Sequence, residues 1–361
     1  MKRHYGYESL EPSIRDFVVK LFKDCYFQNF TNHYPLTTGH LSSDALVFLK
    51  RWKDSRQFES GFEALSLECG EVLAIEQELA KRDFRDLVEL DYFRLIDQKI
   101  ISDLVRAVTA RKVSSGDVTL WVRQRRLGRW YRDYRHVYEA IDYGGQFIQA
   151  LGEVKLTMES LADAVQRYTS AWYRVDQLYR KFIFHVRMSA QASLLGELSD
   201  QIENLYSNSY LLKLGDRFQH FVDEVTQWEA YPVRRQKDFF EYWVGPFLRK
   251  ENKVCVVVSD AMRYEIGDEL LSLIRQEDRY SAELEPALSM LPSYTQLGMA
   301  ALLPNSELAI DDNDTGMVLV DGQSSQGTAN RSRILAQATE QRATACKAQQ
   351  VLLPGRRDAG R

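Results

Sequence analysis

Apolar residues recur at helical spacing through most of the chain. Ile14, Phe17, Val18, Leu21, Phe22 and Cys25 fall at i, i+3, i+4 and i+7 over three turns, with Ser9 and Pro12 marking the approach. A polar connection with Pro35 and Gly39 separates this helix from a second, expected over 44–53. Further helices are expected over about 61–81 and 84–111, the latter carrying Leu87, Leu90, Phe93, Ile100, Leu104 and Val108. Val113–Asp117 is a break, with Ser115 or Asp117 a candidate cap for a short segment holding Leu120, Trp121 and Val122. Helical tracts then run to about Gly152, from Met158 to Arg187, and from Ala190 to Thr226 with a candidate break at Ser207–Ser209. Residues 238–248 close the region. The pattern predicts one large helical region over 1–250, or two packed together.

The period changes at Lys253. Val254-Cys255-Val256-Val257-Val258-Ser259 is a short apolar run, bounded by Lys253 and Asp260, and reads as a strand buried on both faces. A helix is expected from about Arg263 to Gln276, a second strand over 280–285 ended by Pro286, and a helix over 296–303. A hairpin is expected from Leu308–Ile310 and Gly316–Asp321 around an acidic turn, then a polar loop over 322–327 and a helix over 330–350. Strand followed by helix places an α/β region at 251–361 behind the helical one, so the fold class is α + α/β.

Composition narrows the function classes. A chain of 361 residues with 45% apolar and 27% charged residues has an ordinary globular balance. The net charge of −4 argues against a dedicated nucleic-acid binder. Residues 118–132 nevertheless lack Asp and Glu and mix Arg123, Arg125, Arg126, Arg129 and Arg132 with Trp121, Trp130 and Tyr131. That stretch reads either as a solvated helix face or as a weak nucleic-acid contact. No apolar run reaches the length of a membrane span, and the N-terminus has no apolar signal core, so no membrane partner and a cytoplasmic location are expected. Four widely spaced cysteines (25, 69, 255 and 346) read as thiols in a reducing compartment. His33 and His40 stand seven apart without Cys or acidic neighbours at ligand spacing, which disfavours zinc there.

Chemistry concentrates at two points. Asp260 ends the predicted strand, where open α/β sheets bind ligands, and reads either as the N-cap of the next helix or as a metal ligand or general base. Thr295, in Leu291-Pro292-Ser293-Tyr294-Thr295, opens a helix and reads either as a cap or as a hydroxyl beside an oxyanion site. A strand-end Asp followed by a helix-start hydroxyl is the order of a metal-assisted phosphotransferase site, with the hydroxyl as nucleophile.

The stretches Val256–Glu265 (VVVSDAMRYE) and Leu291–Pro304 (LPSYTQLGMAALLP) resemble the PglZ domain of the alkaline-phosphatase superfamily, in the type A branch found in BREX phage-defence systems. The helical region and Asp321–Gly327 are similar to the same family. The resemblance implies the first part of an alkaline-phosphatase-like α/β/α sandwich over 251–361. It implies Asp260 as a metal ligand, Thr295 as nucleophile, Arg263 as a phosphate contact and Glu265 as a supporting carboxylate. Arg263 and Glu265 read equally as solvated residues of a helix's first turn. It further implies a divalent metal, zinc first, hydrolysis of phosphomonoesters or phosphodiesters, and other phage-defence proteins as partners. The family completes its site with later Asp and His ligands, whereas the six histidines here end at His220. The expectation is therefore a piece of a longer PglZ protein with an incomplete metal site, inactive by itself. The alternative is a non-catalytic helical scaffold for other defence components.

Overall fold

The computed structural model describes residues 1–30, 40–311 and 315–352. The polar connection with His33, the tip of the acidic turn and the tail from Leu353 lie outside the described residues. Two compact units are present. One comprises Met1–Val154 with Val175–Leu212, the other Lys155–Arg174 with Lys213–Arg361. The fold is a large helical region followed by a partial α/β region, as the pattern predicts.

Among its described residues, the first unit has helices and no strand. Helices Ile14–Phe27, Ser43–Lys53, Glu59–Val72, Arg94–Thr109, Ser115–Arg125, Tyr131–Glu153 and Ala192–Asn204 pack around Leu21, Phe22, Phe62, Phe93, Ile100, Leu104, Ile141 and Phe147. Two of them start at side-chain caps: Ser13 accepts the Asp16 N–H at 3.0 Å, and Ser114, not Ser115 or Asp117, accepts the Asp117 N–H at 3.1 Å.

Two predicted helices are interrupted. The tract expected over 61–81 breaks at Ala74, whose φ of 51° is left-handed. The tract expected over 84–111 is a short turn, Phe84–Leu87, then an irregular stretch before Arg94. The irregular stretch has a specific cause. The Arg125 guanidinium donates to the Val88 carbonyl at 2.9 Å and the Leu90 carbonyl at 2.6 Å. Trp130 Nε1 donates to the Asp91 carbonyl at 3.1 Å, and Ser66 to the Tyr92 carbonyl at 2.6 Å. Four consecutive or near-consecutive carbonyls are thus taken by side chains distant in sequence, and none remains for a helical ladder.

Arg125 anchors this arrangement. It is 1% exposed and pairs with Asp97, which is fully buried, at 2.6 and 3.1 Å, while Tyr138 donates to the same carboxylate at 2.6 Å. Further on, the chain does not break at 207–209. It widens into a π-helical segment, Leu205–Leu211, that turns Tyr206 and Tyr210 together onto the buried Asp176 carboxylate, at 2.8 and 3.4 Å.

Most arginines of the 118–132 stretch are paired with carboxylates. Arg125 serves Asp97, Arg126 forks onto Glu139 at 3.0 and 2.9 Å, Arg129 reaches Glu63 at 3.2 Å, and Trp130 is buried. Arg123, Arg126 and Arg132 are exposed, Arg126 while paired with Glu139.

In the second unit, strand β1 (Arg234–Arg235) pairs in parallel with β2 (Ala287–Leu288). Strands β3 (Leu308–Ile310) and β4 (Val318–Val320) form the predicted hairpin, and β5 (Gln323–Ser324) adds a third antiparallel strand. The β4–β5 turn is Asp321-Gly322, with φ of 48° and 78°, the left-handed pair that a two-residue hairpin requires. Helix Gly327–Ala338 ends earlier than expected, at left-handed Glu340 and Gln341.

The predicted strands at 254–259 and 280–285 do not form. Pairing at the second site begins only after Pro286. Residues 253–259 make no backbone hydrogen bond to any described residue and are exposed throughout, Val257 to 81%. An apolar run becomes a strand only when neighbouring backbones take its N–H and C=O groups, and no described segment pairs with it.

The Arg125–Asp97 pair generates a stability prediction. Asp97→Asn leaves a buried guanidinium without its counter-charge, which costs about 3–5 kcal/mol. Urea unfolding of the Asp97→Asn variant should show that loss, and a variant within about 0.5 kcal/mol of the parent would remove Arg125–Asp97 from its anchoring role.

Candidate functional site

Asp260 follows the exposed run at a sharp bend. Its Oδ1 accepts the N–H of Ala261 at 3.0 Å, and Ala261 holds a left-handed φ of 53°, uncommon for a residue with a Cβ. The next helix, Tyr264–Arg275, begins three residues later with Arg263 as its N-cap. Asp260 therefore does not cap it, and its carboxylate is open to solvent.

Arg263 and Glu265 form a unit. The Arg263 guanidinium donates to Glu265 Oε1 at 3.0 Å. Glu265 is fully buried, while the Arg263 side chain is 55% exposed. A buried carboxylate thus holds one face of an outward-pointing guanidinium, and the rest of its five-donor fork faces solvent. Gly267, one turn on, is required by close approach: a Cβ there would lie 2.9 Å from Leu284 Cδ1.

Thr295 is the first residue of helix Thr295–Ala301. Tyr294 is the N-cap, with extended backbone and no side-chain cap bond, so the Thr295 hydroxyl is not consumed in capping. Thr295 is exposed, but its helix is not loosely held. Leu297, Ala300 and Leu303 pack with Val318, Val320 and Ile334 in one buried cluster, and the Tyr294 hydroxyl donates to the Gly316 carbonyl at 3.3 Å. The small residues noted in the sequence serve this approach. Ala300 is fully buried, and Gly298 carries its backbone against the Gln236 amide, whose Nε2 donates to the Gly298 carbonyl at 3.3 Å.

Asp260, Arg263 and Thr295 make no hydrogen bond or ion pair with one another; each stands on its own segment. A catalytic zinc takes three protein ligands. Among the described residues no group of three or more His, Cys, Asp or Glu side chains is arranged to hold a metal ion, so the donors around Asp260 do not fit a resident zinc.

An open cleft of about 540 Å³ lies at the far end of the Thr295 helix, lined by Arg235, Lys237, Glu241, Asn305, Asp321 and Gln337 among others. No sequence pattern marks it, because its residues come from four separate stretches. The Asp321 carboxylate in its wall is structural: it accepts the N–H groups of Ser306 at 3.0 Å and Glu307 at 2.8 Å. Arg235 is likewise engaged, by Asp238 at 3.0 Å and Glu229 at 2.8 Å.

Residues 239–361 match the family described as the BREX system PglZ alkaline phosphatase-like domain. These residues, about a third of the chain, are similar to that domain. It is 29% identical over 356 residues to the alkaline phosphatase-like protein BrxZ of Escherichia coli O9:H4 (strain HS), covering 93% of this chain and 41% of that protein. It is 25% identical over 343 residues to the alkaline phosphatase-like protein PglZ of Bacillus cereus (strain H3081.97), covering 93% of this chain and 40% of that one. The chain thus spans about two fifths of the length of these curated relatives. No solved structure matches it. The PglZ match contains Asp260, Arg263, Glu265 and Thr295. No helix among the described residues is long and apolar enough to cross a membrane.

The geometry separates residues that hold the Thr295 helix from the hydroxyl it displays. Thr295→Ala should leave thermal stability within about 0.5 kcal/mol, because the side chain is exposed and unbonded. Ala300→Leu should destabilise the unit by about 1–3 kcal/mol through overpacking. Thermal unfolding of the two variants checks this, and equal effects would show that Thr295 is structural.

Proposed function

We propose that this chain is part of a phosphoesterase-type protein of a BREX phage-defence system, with Thr295 as nucleophile. The observation that carries the reading is the PglZ match over the segment containing both Asp260 and Thr295, whose polar groups are open to solvent and not used as helix caps. In the proposed reaction Thr295 Oγ bonds to phosphorus, the ester P–O bond breaks, and the hydroxyl proton ends on the leaving alcohol. Water then cleaves the Thr295 ester, restoring Thr295 and releasing phosphate from a monoester substrate or a phosphomonoester from a diester. Arg263, held from beneath by Glu265, contributes free N–H donors to a phosphate oxygen. The substrates are phosphomonoesters or phosphodiesters.

A divalent metal, zinc first, belongs to the proposal with Asp260 as one donor. The proposal takes the other donors from a longer protein that contains this chain, so that the chain by itself is inactive and binds the metal weakly. Its partners are other components of the defence system, and it acts in the cytoplasm. Nucleic-acid contact through 121–132 falls to Arg123 and Arg132, since the other arginines are committed to carboxylates.

A second reading, a helical scaffold for other defence components, draws support from Val47, Phe48 and Phe58. These lie 45%, 42% and 54% exposed in the helical unit. The readings part on Thr295→Ala in a longer protein that contains this chain. The enzyme reading predicts a loss of about a hundredfold or more in hydrolysis of 4-nitrophenyl phosphate, and a rate equal to the parent would remove Thr295 as nucleophile. Elemental analysis of the isolated chain should find substoichiometric zinc. Tight one-to-one zinc that Asp260→Ala abolishes would overturn the claim that the metal site needs further donors.

A further inference from the structure

Two histidines face each other inside the helical unit. His136 stands on helix Tyr131–Glu153 and His185 on helix Tyr173–Ser189, and their Nδ1 atoms are 2.9 Å apart. Both rings are half-buried among aromatic side chains. His185 stacks on Tyr143, with centroids 5.5 Å apart and planes at 25°, and Phe184 lies at 73° to His136 and 85° to His185. An Nδ1-to-Nδ1 contact at this distance makes a demand on protonation. With both rings neutral, one is the Nδ1–H tautomer and donates, while the other keeps its proton on Nε2 and accepts. One added proton leaves the bond intact and makes it charge-assisted, since an imidazolium then donates to a neutral ring. A second added proton sets N–H against N–H, and the bond is lost.

We propose that the His136–His185 pair is a proton-operated clasp, which joins these two helices while it holds at most one added proton and releases them when it takes a second. The position of the pair gives the release something to act on. Phe182 is the last buried residue of helix Tyr173–Ser189, and Ala190 follows the helix with a left-handed φ of 53°. The end of the helix, 183–189, thus lies beyond its last core anchor, and the imidazole bond ties it to Tyr131–Glu153. The surrounding charges favour release. Arg135 acts on His185 from the first helix, and Lys181, 5.6 Å from the centre of the Tyr143 ring, from the second. Glu139 opposes them, but its oxygens already accept from Arg126 at 3.0 and 2.9 Å and from Tyr131. Burial chiefly holds the His185 ring below the ordinary histidine range; Glu139 pulls the other way, and His136, Arg135 and Lys181 add to the lowering. Rings released to solvent return to about 6.5. Opening therefore takes up protons as the pH falls below that value and is insensitive to pH above it.

The test is a pH titration of this chain, followed by nitrogen NMR of the imidazoles and by hydrogen exchange at the amides of 183–189, corrected for the intrinsic pH dependence of exchange. In mild alkali one of the two rings should be the Nδ1–H tautomer. The pair should then titrate in two steps separated by about one pH unit or more. Between about pH 6.5 and the second step, the open fraction of 183–189 should rise about tenfold per pH unit, the slope of one proton taken up on opening. His185→Phe keeps a ring against Tyr143 but carries no proton to share, and His136→Gln keeps a polar partner that does not titrate. In either variant the remaining histidine should titrate in one step, and the open fraction should change less than about threefold from pH 7 to pH 5. Two Nε2–H rings with independent single steps would overturn the proposal. So would two coupled steps with no change in exchange at 183–189, or variants that open with acid as the parent does.

Discussion

Every backbone N–H and C=O needs a partner, and two non-helical stretches stand in contrast on that need. At 88–92 it is met by side chains from far along the sequence. Arg125 takes the carbonyls of Val88 and Leu90 while Asp97 and Tyr138 neutralise and fix it. Burying a guanidinium is costly without such partners, so the network is all-or-none: the irregular stretch at 88–93, the helix from Arg94 and the packing of Ser115–Arg125 depend on the same cation. In the second unit, residues 253–259 find no partner among the described residues, and the run stays extended in solvent.

That contrast bears on how the candidate residues are held. Thr295 stands on a helix whose inner face is packed into a closed apolar cluster with β4, so its position is fixed although its side chain is free. Asp260 stands at the end of the unpaired run, and among the described residues only its bond to the Ala261 N–H orients it. Arg263 lies between these extremes, with its guanidinium propped by a buried carboxylate. A site assembled from these groups has a firm hydroxyl and a loose carboxylate.

Much of this was legible in the sequence where the determinants are local. Helix periodicity located the helices of the first unit, and the hairpin at 308–320 followed from two short apolar runs. The Asp321-Gly322 turn was read only as a polar loop, although Asp-Gly is a strong hairpin signal. The sequence misled where a distant group decides. Nothing near 88–92 announces that Arg125 and Trp130 will take its carbonyls, and nothing near 207–209 announces that Asp176 will draw two tyrosines inward. For Val254–Ser259 the pattern states what the segment is suited to, a strand covered on both faces, while the structure states what it has, which is solvent. The same difference runs through the site. Asp260 and Thr295 were open to a capping reading, and the helices instead take Arg263 and Tyr294 as caps, because each helix starts where its own buried residues begin.

The most direct measurement is the rate at which Cys255 reacts with a thiol reagent. Burial pushes the Cys25 thiol up to about 12 and the Cys69 thiol up to about 11, so both should be inert in the folded chain. Cys255, within the unpaired run, and Cys346 are exposed. Two rapidly labelled thiols, with Cys255 identified as one by peptide mapping, is the predicted result. A Cys255 as slow as Cys25 in the isolated native chain would contradict an open 254–259 segment, and with it the reading of Asp260 as the exposed end of an unpaired strand.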